Sequence, residues 1–191
     1  MKPYYSHAGI QIFHGDCREV LPTISADVCV TDPPYPGYEY PWEFVPLQST
    51  GINHDGMYFW PANVPFPLRF DAIHVWSKCN VLVGDAEPYE NIYEIGGSGF
   101  CGVFRNSVIN CEMNAVMNGD EYFPHPTQKP IRLMLRLVKR TQGVIIDPFM
   151  GSGTTLRAAK DLGRKAIGIE IEKRYCEIAA KRLSQEVLEF T

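Results

Sequence analysis

Asp32-Pro33-Pro34-Tyr35 closes the apolar run Val28-Cys29-Val30. Two consecutive prolines remove two backbone N–H groups and hold φ at about −65°. What is left is a rigid loop of acceptors, the Asp32 carboxylate and the prolyl carbonyls, beside the flat face of Tyr35. Such a loop suits a planar ring that carries an –NH2 group. It also suits a plain strand-ending turn, where proline is common. A second constellation runs from Ile145 to Thr155: a strand, a glycine turn and the start of a helix. Glycine lets a backbone approach a ligand closely and take φ > 0. Glu170 stands at the end of the next apolar run, where a carboxylate can grip ribose hydroxyls. Strand, turn, helix, strand and acid together point to a nucleoside cofactor. A dinucleotide fold would favour a third glycine where Thr154-Thr155 stand, yet a nicotinamide-dependent oxidoreductase stays open on these residues alone. A third stretch, His125-Pro126-Thr127-Gln128-Lys129-Pro130, precedes a helical pattern. Pro130 suits a first helical turn, and polar groups at a helix N-terminus can hold a carboxylate.

In these stretches the chain resembles the amino-group DNA methyltransferases. That family carries an Asp, Asn or Ser followed by Pro-Pro and an aromatic residue at its catalytic site. Its S-adenosylmethionine loop is matched almost residue for residue by the stretch from Asp147 to Thr155. Its His-Pro-[Ser or Thr]-x-Lys-Pro segment lies against the methionine carboxylate. The resemblance implies S-adenosylmethionine as cofactor and duplex DNA, with a flipped base, as partner. It implies catalytic roles for Asp32, Pro33, Pro34 and Tyr35. Asp147, Pro148, Phe149, Gly151, Ser152, Gly153 and Thr154 would shape the cofactor loop, with Asp147 near the methionine end and Asp32 bordering it. Glu170 would accept from the ribose, and Thr127, Gln128 and Lys129 would hold the carboxylate. Gly15-Asp16-Cys17 matches a family segment whose carboxylate meets the cofactor's adenine, with a surface turn as the competing reading there. Asp at the first catalytic position leans towards adenine N6, with cytosine N4 as the alternative.

The order of motifs narrows the reading. The Asp32 motif comes first and the glycine loop last, which resembles the β group of the family, a circular permutation of the usual fold. Enzymes that methylate a protein glutamine place their glycine loop first and lack the Lys129 segment. Many relatives in the permuted group form dimers, so a homodimer is expected. An inactive DNA-binding relative is the non-enzyme alternative, and the intact motifs argue against it. Phosphate contacts are expected from Arg105, Arg132, Arg136, Lys139 and Arg140. Arg132, Arg136 and Arg140 recur at i, i+4 and i+8, a stripe that a solvated helix face explains as well. The irregular stretches 36–55 and 96–124, with Tyr38 and Trp42 in the first, are the room left for target recognition. That is short for a long recognition site.

The elements that must position these residues follow from apolar patterning. Strands are expected at Ile10–Phe13, Asp27–Thr31, Met57–Trp60, Ala72–Trp76, Asn91–Ile95, Gly143–Asp147 and Ala166–Ile171. Helices are expected over Pro130–Arg140, after Gly153, and from Lys173 to Glu189, with a short one at Val20-Leu21 broken by Pro22. This predicts one domain over 1–191: an α/β, doubly wound, mostly parallel seven-stranded Rossmann-like methyltransferase sheet, circularly permuted. Composition agrees with a globular enzyme: 21% charged and 45% hydrophobic residues. No apolar run approaches the roughly 18 residues of a membrane span. Six cysteines form no C-x-x-C pair, so neither a metal site nor a redox motif is expected, and reduced thiols suit a cytoplasm. The net charge of −4 is unevenly spread: residues 1–104 hold 4 Lys/Arg against 12 Asp/Glu, residues 105–191 hold 14 against 10. A DNA-facing surface therefore draws on the second half.

Overall fold

Val28-Cys29-Val30 and Ile145-Ile146 lack alternation, the pattern of strands covered on both faces. They become the middle of the sheet. The computed structural model describes residues 1–35, 50, 52, 55–60, 65–77, 89–95, 107–110 and 128–185. In chain order the elements are β1 Tyr5–His7, β2 Ile10–His14, α1 Cys17–Val20, β3 Val28–Thr31, β4 Gly56–Trp60, β5 Ala72–Ser77 and β6 Tyr89–Ile95. They continue with β7 Ser107–Asn110, α2 Ile131–Val138, β8 Ile145–Asp147, α3 Thr154–Asp161, β9 Ala166–Glu170 and α4 Lys173–Ser184. The strands form one sheet in the order β1-β2-β9-β8-β3-β4-β6-β5-β7. From β2 to β4 all neighbours are parallel. β6 lies antiparallel between β4 and β5, β7 is parallel to β5, and β1 is antiparallel to β2.

Among the described residues the sheet thus has nine strands where seven were expected. All seven are present, and the two additions are the edges. β1 carries the exposed polar pair Ser6 and His7, so it has no apolar period and is held by backbone pairing with β2. β7 falls inside the stretch 96–124 that reads as irregular. Pro22 does not break the first helix: it sits in a 3-10 turn, Leu21–Thr23, that continues α1. α4 ends at Ser184, where Gln185 takes extended backbone at φ −69° and ψ 129°; the rest of the expected span, 186–189, lies outside the described residues.

Both faces of the sheet are covered. α2, α3 and α4 pack on one, burying Leu133, Leu137, Leu156, Ala159, Ala179 and Leu183 against Ile10, Val28, Val30 and Ile145. The other face joins Cys17 and Val20 of α1 to Cys29, Tyr58, Trp60, Tyr93 and Ile169, with Phe66 and Phe149 packed alongside. Gly168 in β9 admits α3: a Cβ there would stand 2.4 Å from Met150 Sδ and 2.7 Å from Leu156 Cδ2. The close helix–strand approach that a third glycine supplies in dinucleotide loops is here supplied from the facing strand. No helix among the described residues is long and apolar enough to cross a membrane.

Candidate active site

β8 and β3 are neighbours, and the sheet grows away from them in opposite directions, through β9 and β2 on one side and β4 and β6 on the other. The crevice beyond their carboxyl ends is a topological switch point, where open α/β sheets bind ligands. Asp32 follows β3, Asp147 ends β8 and Glu170 ends β9. Parallel pairing brings all three carboxylates to that one edge, although the sequence separates Asp32 from the other two.

Asp147 is 3% exposed. Thr31 Oγ1 donates to its Oδ1 at 2.7 Å and Thr155 Oγ1 to its Oδ2 at 2.5 Å. Phe149 N also donates to Oδ1 at 3.2 Å. Burial pushes the carboxyl above its ordinary range, against the pull of the threonine hydroxyls. Both oxygens are engaged by β3, the loop and α3, so Asp147 ties the cofactor-side strand to the Asp32 strand. Gly151 and Gly153 have φ of 50° and 78°. Gly153 also lies against α4, where a Cβ would meet Ala179 Cβ at 2.9 Å. Gly151, Ser152, Gly153 and Thr154 are buried, and Arg182 Nη1, from α4, donates to Thr154 Oγ1 at 3.0 Å.

Glu170 Oε2 accepts from Gly151 N at 3.0 Å and Oε1 from Glu172 N at 2.8 Å. Burial raises its carboxyl to about 7 despite those two N–H donors. Glu170 O accepts from Gly15 N at 3.0 Å, which brings the turn after β2 to the same edge. Asp16 there caps α1, accepting from Arg18 N at 2.8 Å. The Arg18 guanidinium donates to both carboxylate oxygens and holds Asp16 below the usual carboxylate range. Cys17 belongs to the core: it is 6% exposed and burial pushes its thiol up to about 11.

On the other side of the switch point, Asp32 is half-buried and Pro33 buried. Tyr35 Oη donates to Asp32 Oδ1. Lys129 Nζ stands 2.5 Å from Asp32 Oδ2 and 5.1 Å from the centre of the Phe59 ring. The Tyr35 ring meets Trp60 edge to face at 5.4 Å. An aromatic ladder continues from Trp60 to Phe66 at 5.5 Å, and Phe66 stacks on Tyr93 at 4.2 Å.

The site therefore gathers Asp16, Asp32–Tyr35, Lys129, Asp147–Thr154 and Glu170. Gln128 is half-buried beside Lys129. Thr127, Arg105, Tyr38 and Trp42 lie outside the described residues, as do 36–49 and 111–127. Arg132 is in the first turn of α2, but Arg140 lies past its end at Val138, about 12 Å further along the axis at 1.5 Å per residue. Arg140 instead stands 3.4 Å from His74 Nε2 of β5, a buried residue. Arg136 and Lys139 are exposed on the same departing stretch, so the basic stripe leads away from the site. Arg18, Trp60, Gly168 and Arg182 carried no sequence signal of their own.

A family described as DNA methylase, of the N6/N4 type, matches residues 71–181. The chain belongs to this DNA methylase family. That membership sets aside the oxidoreductase and protein-glutamine readings. The chain is 26% identical to the type II methyltransferase M.ScaI of Streptomyces caespitosus, over 97% of this chain and 84% of that protein. It is 52% identical over 65 residues to the type II methyltransferase M2.DpnII of Streptococcus pneumoniae, which covers 32% of this chain and 24% of that one. With the type II methyltransferase M.HpaI of Haemophilus parainfluenzae the match is 46% over 66 residues, 33% of this chain and 21% of that one. The methylase fold itself is that of M1.HpyAVI in its complex with SAM, with TM-score 0.64 and 24% identity over 91% of this chain and 99% of that one. It is also that of the cytosine-N4-specific PvuII DNA methyltransferase, with TM-score 0.65 and 15% identity over 98% and 90%.

Proposed function

We propose that this chain transfers a methyl group from S-adenosylmethionine to the N6 amino group of an adenine flipped out of DNA, as a type II methyltransferase of the permuted group. The observation that carries the reading is the meeting of two halves at one sheet edge. An acceptor carboxylate, Asp32, stands where β3 ends, beside the strand, glycine loop and acid that suit a nucleoside.

The residues present fit S-adenosylmethionine. Glu170 is a buried carboxylate fixed by two backbone N–H groups, and each oxygen keeps a lone pair for a ribose hydroxyl. The positive φ of Gly151 and Gly153 brings backbone close to a ligand. Asp16 supplies an acceptor for an adenine amino group. When bound, the cofactor supplies an electrophilic methyl group on a sulfonium that leaves readily.

The chain's own task is then orientation. Asp32 and the Pro33 carbonyl accept the two hydrogens of the target amino group from outside the ring plane. This favours a tetrahedral nitrogen whose lone pair faces the methyl group. The nitrogen becomes acidic after transfer, so Asp32 can take its proton without being a strong base. Flipping costs a few kcal/mol, and stacking on Tyr35, worth about 1–3 kcal/mol, offsets part of it. Arg132 is the phosphate contact nearest the site. Cytosine N4 is the second reading, favoured by the likeness to the PvuII enzyme.

Modified-base sequencing of DNA from cells expressing the chain tests this. N6-methyladenine at a fixed short site is expected. N4-methylcytosine instead moves the reading to its alternative, and unmodified DNA from cells holding folded protein overturns it.

A further inference from the structure

The Tyr35 ring, on which the flipped base would stack, gets little support from its own loop. Residues 32–35 have no regular secondary structure, and the prolines at 33 and 34 have no N–H to tie the loop to the sheet. The hydroxyl end of Tyr35 is held at Asp32 Oδ1. The ring itself rests on Trp60, a residue of another strand.

Strand register puts Trp60 there. β3 and β4 run parallel with Thr31 opposite Tyr58. Trp60, two positions on, is therefore level with the loop that leaves β3. It is 2% exposed and pairs with Asn91 of β6. Its ring stands 5.4 Å from Tyr35 at 79° and 5.5 Å from Phe66 at 78°. Phe66, half-buried, lies flat on Tyr93 of β6 at 4.2 Å and 4°. Asn91 Nδ2 donates to the Tyr93 hydroxyl at 3.2 Å. Trp60 Nε1 has no hydrogen-bond partner among the described residues, so the rings alone carry the hold. Each ring behind Tyr35 is backed by another, down to a strand of the sheet.

This matters for a stacked base. A platform that is free to turn must be ordered when the base arrives, and that ordering subtracts from the stacking. A ring already fixed by a near-perpendicular neighbour, a preferred aromatic geometry, keeps the full stacking. One neighbour covers at most one face of Tyr35, so a face stays clear of Trp60.

We propose that Trp60 is a positioning residue for the target base. Backed by Phe66 and Tyr93, it fixes the plane of Tyr35 and lowers the cost of holding the base outside the duplex. The inference rests on the methyltransferase reading above. It concerns the flipped state alone, so cofactor affinity is left as it is.

The test uses the purified full chain and its Trp60→Leu, Trp60→Phe and Phe66→Leu variants. Affinity for S-adenosylmethionine is read by calorimetry. Single-turnover transfer at saturating cofactor is read on a synthetic duplex carrying the site found by modified-base sequencing, and on the same duplex mispaired at the target base. Trp60→Leu is expected to bind the cofactor within about threefold of the parent and to methylate the paired duplex about tenfold more slowly, the worth of one aromatic pair. On the mispaired duplex the deficit is expected to shrink to about threefold or less, because a mispaired base costs less to flip. Trp60→Phe, which keeps an aromatic edge, is expected to recover most of the rate. Phe66→Leu, one ring further back, is expected to be about threefold slower on the paired duplex only. It carries the test if Trp60→Leu is unfolded by circular dichroism. A folded Trp60→Leu or Phe66→Leu protein with the parent's rate on the paired duplex overturns the inference. So does an equal deficit on both duplexes, a tenfold loss of cofactor affinity, or a Trp60→Phe protein as slow as Trp60→Leu. No transfer by the parent itself overturns the function proposed above instead.

Discussion

The two halves of the site are held together differently. In the cofactor half the carboxylates are fixed mostly by their own neighbourhood, with one bond from β3. Glu170 takes N–H groups from Gly151 and Glu172, and Asp147 takes Thr155 and Phe149 from the same loop and helix, with Thr31 of β3 as its one distant donor. In the acceptor half Asp32 depends on a cation 97 positions away and on Tyr35, whose ring rests on a strand of its own, β4. A ligand site made by one β–turn–α–β unit is pre-organised when that unit folds. A site made from three separated segments is organised only when the whole sheet is.

That difference can be broken or sharpened by substitution. Gly168→Val attacks the cofactor half where it is densest, with its Cβ 2.4 Å from Met150 Sδ and 2.7 Å from Leu156 Cδ2. Urea unfolding should show a loss of about 3 kcal/mol, as for severe overpacking. An unchanged midpoint means that α3 is not seated on β9 as described. Thr155→Val leaves a buried Asp147 oxygen without its hydroxyl donor and should cost about 2 kcal/mol in the same assay.

Glu170 predicts a pH signature confined to the cofactor half. Its carboxyl is raised from 4.5 to about 7 by burial. Its contribution to folding stability is therefore full below about pH 4.5 and is lost as pH rises through 7. Ribose binding has the opposite sign, because the ionised form accepts. Cofactor affinity should rise with pH through 7, and be about fivefold weaker at pH 6 than at pH 7. Glu170→Gln should flatten both profiles. A profile that survives this change assigns the titration elsewhere.

The smallest effect lies in the acceptor half. Trp60 Nε1 is buried with no hydrogen-bond partner among the described residues. Trp60→Phe removes that donor while keeping an aromatic edge against Tyr35. Stability should change by no more than about 1 kcal/mol. A larger loss shows that the indole makes a bond not seen here.

The contrast also explains what was legible in the sequence. The glycine loop, Glu170 and seven strands could be read because their signals are local: an apolar run, a turn residue, an acid at a set distance. β1 and β7 could not, since edge strands held by backbone pairing need no apolar period. The motif containing Lys129 was visible, but its partner was not, because no local pattern links position 129 to position 32. The arginine stripe of α2 was visible too. Only the helix direction shows that Arg136 and Arg140 run away from the switch point. Gly168 and Arg182 act through packing on elements that sequence reading had to treat separately. Asp16 was legible as a turn residue, yet neither its cap on α1 nor the Arg18 clamp on it has a signature in the sequence.

The central claim is that acceptor and cofactor are handled by separable halves. Asp32→Ala and Glu170→Ala, each measured for S-adenosylmethionine affinity by calorimetry and for methyl transfer to DNA across a cofactor titration, test it most directly. Asp32→Ala is predicted to keep its cofactor and lose about 1,000-fold in transfer. Glu170→Ala is predicted to bind the cofactor weakly and regain transfer when it is raised to saturation. Affinity and transfer that fall together in both proteins would contradict the division.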